Sequence, residues 1–224
     1  MEAANIGAGG AREADVAPAP ATAESKGAGW TPADPGPLGL AAFAATTFAL
    51  SMVNSQLVSV GSEVIAVTLA LAYGGIAQMI AGIWEFRTGN TFGAVAFTSY
   101  GAFWLSYFFL VHGVAGPIAL AHAHSTVGLF LWTWTIFTVL MLIASLRTSA
   151  AVAFVFFLLT ITFVLLAIGN SSLQGGTALT NNTIKLGGYF GIATAICAWY
   201  ASFAAVINST FGRVIAPVFP LHRP

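Results

Sequence analysis

Charge is what this sequence has least of. Asp, Glu, Lys and Arg make up 6% of its 224 residues, as seven basic and seven acidic side chains, against about 25% in an ordinary soluble domain. So few charges cannot build a water-facing surface, and with 58% hydrophobic residues the chain takes the lipid bilayer as its solvent. A zero formal net charge, with no basic stripe, offers nothing to a phosphate backbone and excludes nucleic acid as a partner. Cysteine is reduced to Cys197. No intramolecular disulfide is available, and in its apolar stretch the thiol reads as core packing. Phosphate-binding loops, HExxH helices and nucleophile elbows are all missing from the sequence, so no catalytic residue, cofactor or metal is assigned and the chain is not read as an enzyme. There is no early basic-then-apolar leader either, since the first apolar run starts near residue 38.

What is present is apolar length. Residues 1–30 are rich in Ala, Gly and Pro without periodicity, which predicts a disordered tail. About 20 apolar residues cross the hydrocarbon. Six runs are long enough, at 38–58, 64–84, 92–112, 127–146, 150–169 and 187–208. Buried soluble helices would need a polar shell the chain lacks, and a β-barrel would show short alternating segments. The expected fold is an all-α polytopic membrane protein with six transmembrane helices per protomer. Its membrane domain covers residues 31–219, followed by a short tail, 220–224. With the N-terminus cytoplasmic, Arg12, Lys26, Arg87, Arg147, Arg213 and Arg223 fall on the cytoplasmic side and only Lys185 outside. That bias predicts both termini in the cytoplasm.

The polar residues within the spans carry the functional signal. No charge sits at the centre of a span. Glu63 and Glu85 lie near opposite ends of the second, which argues against a buried carboxylate relay. Gly75, Gln78, Gly82 and Glu85 follow steps of three and four and share one helix face. This face reads either as a packing seam with one satisfied amide or as the polar lining of a path, with Glu85 and Arg87 at its cytoplasmic mouth. Tyr100, Trp104 and Tyr107 share a face of the third span, and Tyr100 lies deep enough that its hydroxyl needs a partner. Asn54, Asn170 and Asn208 each precede a serine near a helix end, as capping side chains do. His112, His122 and His124 cluster around the third connection. They have no further ligand at a diagnostic spacing, leaving a pH-responsive outer mouth as their functional reading. Gly75–Gly82 and Ala201–Ala205 permit close helix approach within one chain or between chains.

Several motifs then coincide: DPGPLGL (34–40) with TTF (46–48), YGGIAQMIAGIWEF (73–86), TGNTFGAVAFTSYGAFW (88–104), FVFFLLTITFVLLAIGN (154–170) and FGR (211–213). In this order, over roughly residues 33–219, the chain resembles the acetate uptake transporter family, the succinate-acetate permeases. The resemblance implies a homohexamer with a pathway through each protomer, carrying acetate and, in some members, succinate or other short acids. Proton-coupled symport and channel-like passage both belong to that picture, as does ammonium export. The family signature reads NPxPLGL. Asp34 stands at its asparagine, keeping an acceptor and losing the amide donor; ionised, it adds negative charge beside an anion path. The resemblance places a hydrophobic constriction at Phe43, Tyr100 and Leu159. Asp34, Thr46, Thr47, Gln78, Glu85 and Asn170 are the further candidates for the pathway or its mouths. The expected location is the plasma membrane, with lipid as the surrounding partner. An ammonium or small-neutral-solute channel and a non-transporting membrane sensor are the alternatives.

Overall fold

Pro35 and Pro37 set the start of the first helix. Fixed φ and a missing N–H suit a helix's opening turn, where the amides have no intrahelical partner. In the computed structural model, which describes Trp30 and residues 32–112, 123–172 and 181–221, α1 runs Gly36–Asn54 with proline in its first turn. Asp34 Oδ1 accepts from the Gly36 amide at 2.9 Å, so the aspartate fills the terminus-binding role its side chain allows. The helix ends earlier than the apolar run suggests, because the chain turns at Gln56, with φ 62°.

The second span, α2 (Val60–Thr88), is not one uniform helix. A 3₁₀ turn at Val60–Ser62 leads into an α-helix at Glu63–Leu71. A π-helix follows at Ala72–Ala77, and an α-helix resumes at Gln78–Thr88. The π segment holds Gly74, where an added Cβ would lie 2.5 Å from Thr46 Oγ1 of α1. The widened turn brings α2 onto α1 at a point only glycine allows. Left-handed Gly89, φ 80°, stops the helix. Then come α3 (Thr91–His112), α4 (Ala123–Ser145), α5 (Ala150–Ser171) and α6 (Asn182–Phe211). The last starts ahead of its apolar run because Asn181 Oδ1 accepts from Thr183 N and Ile184 N, at 2.9 and 3.2 Å. All six helices are long and apolar enough to cross a membrane, as the sequence predicts. The expected tail apart from Trp30, all of His122 and the side chains of His112 and His124 lie outside the described residues.

The helices pack in a ring. In one direction α1 lies on α6, α6 on α5 and α5 on α4; in the other, α1 lies on α2 and α2 on α3. On α2–α3, a Cβ at Gly82 would meet the Thr98 amide nitrogen at 2.4 Å. The glycine face that the sequence left open is therefore spent inside the protomer. Ala201 and Ala205 likewise border an internal cavity. Contact between the α3 and α4 backbones is sparse, and side chains complete the ring there. Tyr100 bonds Thr138 at 2.9 Å, and Phe103 stacks on Phe130 with centroids 5.2 Å apart. Outside, Leu129, Ile136, Leu140 and Ile143 of α4 are exposed, a face suited to lipid or a neighbouring copy.

After α6 the chain doubles back. Asn208 Oδ1 accepts from the amides of Ile215 and Ala216 at 2.7 and 3.0 Å, and its Nδ2 donates to the Ala216 carbonyl. The Ala150 amide donates to the Phe219 carbonyl at 2.8 Å, and Leu221 N donates to the Thr148 carbonyl at 3.0 Å. These bonds supply partners at the start of α5, whose first amides have none within the helix. Pro220 and Leu221, expected as tail, are thereby tied to the α4–α5 turn.

Candidate functional site

Two cavities approach each other through the ring. The first, about 570 Å³, lies among the start of α1, the α2–α3 junction, the α4–α5 turn and the returning C-terminal segment. The second, about 470 Å³, lies among the opposite helix ends. Of the described residues, Phe43 and Leu159 alone line both. Tyr100 lines the first, and its ring sits on Phe43 with centroids 5.7 Å apart. Phe43, Tyr100 and Leu159 are 5%, 2% and 3% exposed. Three residues far apart in sequence thus meet from α1, α3 and α5, where the two cavities adjoin.

Tyr100 is held on several sides. Trp134, Phe137 and Phe156 surround its ring at centroid distances of 6.0, 5.4 and 6.1 Å. Thr138 donates its single hydroxyl hydrogen to the Trp134 carbonyl at 2.7 Å. The Tyr100–Thr138 bond therefore has Tyr100 as donor. The sequence asks for a partner for this buried hydroxyl; the structure supplies a threonine, and the bond fastens α3 to α4.

The first cavity gathers Asp34, Gln78, Glu85, Asn90 and Arg147 on its walls. Glu85 is buried and accepts from Thr88 Oγ1 at 3.0 Å; it takes that bond from Thr88, not from Arg87. Gln78 is buried too, and its Oε1 has no hydrogen-bond partner among the described residues. The second cavity holds Thr47 and Asn170. Asn170 Nδ2 donates to the Leu166 carbonyl at 2.8 Å. Thr47 Oγ1 is buried without a partner among the described residues, as is Nε1 of Trp104, which lines the same cavity. Thr46 parts from the other candidates. It lines neither cavity, donates to the Ala42 carbonyl at 3.0 Å and packs on Gly74.

Two features escaped the sequence reading. In the sequence Trp104 is only one of three aromatics on a face; its orphaned indole N–H makes it a donor on a cavity wall. Glu63 accepts from the Tyr107 hydroxyl at 2.5 Å, across 44 residues of sequence. Tyr107's place on the Tyr100–Trp104 face was visible, but no spacing rule links it to Glu63.

Six helices long and apolar enough to cross a membrane, with two cavities that adjoin at an apolar cluster, define a polytopic membrane protein. The chain belongs to the GPR1/FUN34/yaaH family, matching it over residues 21–223. It is 39% identical over 195 residues to acetate permease A of Emericella nidulans, an alignment covering 83% of this chain and 65% of that protein. The chain thus spans about two thirds of that relative's length. To the succinate-acetate/proton symporter SatP of Escherichia coli it is 37% identical, covering 85% of this chain and 97% of SatP. The solved structure of the bacterial acetate channel SatP superposes with a TM-score of 0.72 at 35% identity, over 84% of this chain and 99% of that one.

Proposed function

We propose that this protein carries acetate, and other short carboxylic acids such as succinate, across the membrane through each protomer. The observation that carries the reading is the pair of cavities that share Phe43 and Leu159 and are reached from opposite ends of the bundle. On this reading Phe43, Tyr100 and Leu159 form the constriction. Acetate suits such a passage, because its methyl group slips past apolar rings while its carboxylate takes hydrogen bonds on either side. Neutral donors such as Thr47 and Trp104 bind it without the deep trap of an ion pair, so it can leave again. Relatives named as acetate permease, symporter and channel support the same cargo. Proton-coupled movement is the form the symporter name suggests; channel-like passage is the other.

The further assignments rest on the resemblance and on the charge bias: a homohexamer, in the plasma membrane, with both termini cytoplasmic. The first cavity then faces the cytoplasm. Reconstitution with a labelled-acetate gradient tests the function, with protein-dependent flux expected. Absence of such flux at every pH tried overturns it. Asp34 and Glu85 on one cavity wall favour a second reading, passage of ammonium. Ammonium flux that acetate leaves untouched would select it.

A further inference from the structure

Among the described residues that line the two cavities, one carries a positive charge, Arg147 in the first. We infer that Arg147 captures the carboxylate of the incoming acid at the mouth of this cavity. The inference rests on the proposed carboxylic-acid cargo.

The setting is otherwise hostile to an anion. Asp34 and Glu85 line the same cavity, and each repels a carboxylate that enters. Among the described residues, no hydrogen bond or ion pair engages the Arg147 guanidinium, so neither acid neutralises it. Arg147 is exposed, and its five N–H donors remain available to a solute. A guanidinium presents those donors as a planar fork that matches a carboxylate's two oxygens, which an ammonium cannot do.

The position is built and not incidental. Arg147 lies on the α4–α5 turn, where its own amide donates to the Ala144 carbonyl at 3.3 Å. The next residue, Thr148, donates its hydroxyl to the Ser145 carbonyl at 2.7 Å and accepts from the Leu221 amide at 3.0 Å. Ser149 pairs with Pro220. The returning C-terminal segment, latched further back by Asn208 and by the Tyr200 hydroxyl on the Pro217 carbonyl at 2.6 Å, therefore braces the turn that carries the arginine. Val218 and Pro220 of the same segment line the cavity beside it.

An exposed charge such as that of Arg147 acts moderately and is screened by salt. It raises local anion concentration more than it deepens any one binding site. A dianion gains more than a monoanion. Arg147 thus acts on capture and on the choice between acids, while the apolar cluster sets what passes.

The test is flux of labelled acetate and succinate in proteoliposomes of known orientation, normalised to correctly assembled protein, for wild type, Arg147→Gln and Arg147→Lys. R147Q should raise the acetate KM on the Arg147 side by roughly three- to tenfold, as expected for loss of one screened charge at contact distance. The maximal rate from that side should stay within about twofold, the succinate KM should rise further, and flux at low acid concentration should fall equally in both directions, as detailed balance requires. R147K should restore most of the affinity, and raising ionic strength should weaken wild-type capture while leaving R147Q nearly flat. If wild type transports acetate and R147Q matches it in KM and salt dependence, the inference is overturned. It also fails if both variants lose flux only in step with assembled protein. A wild-type protein that moves no acetate overturns the proposed function instead.

Discussion

The two cavities are built from different chemistry. The first has side chains of both signs on its walls, and part of one wall is the returning C-terminal segment. The second is made of helices and of the short stretches at their ends. Among the described residues its one carboxylate, Glu63, is bonded to Tyr107, and its remaining side-chain polar groups are hydroxyls, amides and an indole. On the proposed reading, a carboxylic acid crossing between them passes from a mouth with charges of both signs to a pocket whose polar groups are, Glu63 apart, neutral. On that reading the difference teaches how a passage can attract an anion and still release it: attraction is placed at the rim, where water screens it, and the second cavity offers mainly neutral groups whose bonds exchange readily.

Merging the two cavities should have the largest effect. Tyr100→Ala removes the ring that packs on Phe43 and is nearly fully buried. By analogy with large-to-small core changes it should lower stability by about 3–5 kcal/mol. In the protein that still assembles, larger acids should gain flux relative to acetate. Tyr100→Phe keeps the ring and loses the bond to Thr138, which should lower stability by about 1 kcal/mol and leave acid selectivity intact. Thr138→Val should also leave selectivity intact but lower stability by more, about 1–3 kcal/mol, because it strands the buried Tyr100 hydroxyl. Thermal unfolding and uptake of graded acids, normalised to assembled protein, check all three. Unchanged selectivity in Y100A would remove Tyr100 from the constriction.

This pairing also shows where the sequence stopped being informative. The six spans were legible because apolar length alone marks them, and the Gln78–Glu85 face was legible because three- and four-residue steps put both side chains on one side of a helix. Phe43, Tyr100 and Leu159 came from motif resemblance; their meeting at the junction of two cavities is a fact of packing that no local pattern encodes. The partner of the Tyr100 hydroxyl was illegible because Thr138 lies on another helix, 38 residues on. The π-helix was hidden in a glycine pair that reads equally as a packing notch. The early start of α6 was hidden in TNNT, a polar run whose second position, Asn181, proves to be a cap. Polar residues at a helix end look like loop until the amides they bind are known.

A smaller effect sharpens the contrast from the second cavity. Tyr107→Phe removes the hydroxyl that now donates to the Glu63 carboxylate, and so leaves the negative charge this cavity already carries with one hydrogen-bond donor fewer to offset it. The acetate KM on that side should rise roughly two- to fivefold, and that for succinate should rise more. Flux at low acid concentration should fall equally in both directions, so the side is read from KM. Adding Glu63→Gln to Y107F should reverse the change, because the charge is the cause. Side-resolved flux decides it. A fall in maximal rate with KM unchanged on both sides would mean that the variant disturbs the bundle as a whole.

The smallest effect separates two adjacent threonines. Thr46 donates to the Ala42 carbonyl and packs on Gly74 away from both cavities, whereas Thr47 Oγ1 is buried on the wall of the second cavity without a partner among the described residues. A buried hydroxyl left unbonded destabilises by about 1–3 kcal/mol. Thr47→Val removes it at nearly constant shape, so thermal stability should hold or rise slightly. If the hydroxyl serves passing carboxylate, flux should move the opposite way and fall by about two- to fivefold, the size of one modest hydrogen bond. Thr46→Val gives up only a bond to its own helix and should leave flux unchanged. Stability rising while transport falls cannot come from a folding defect, and that is what makes the pair diagnostic. If T47V transports acetate as well as T46V does, the Thr47 hydroxyl takes no part in the passage.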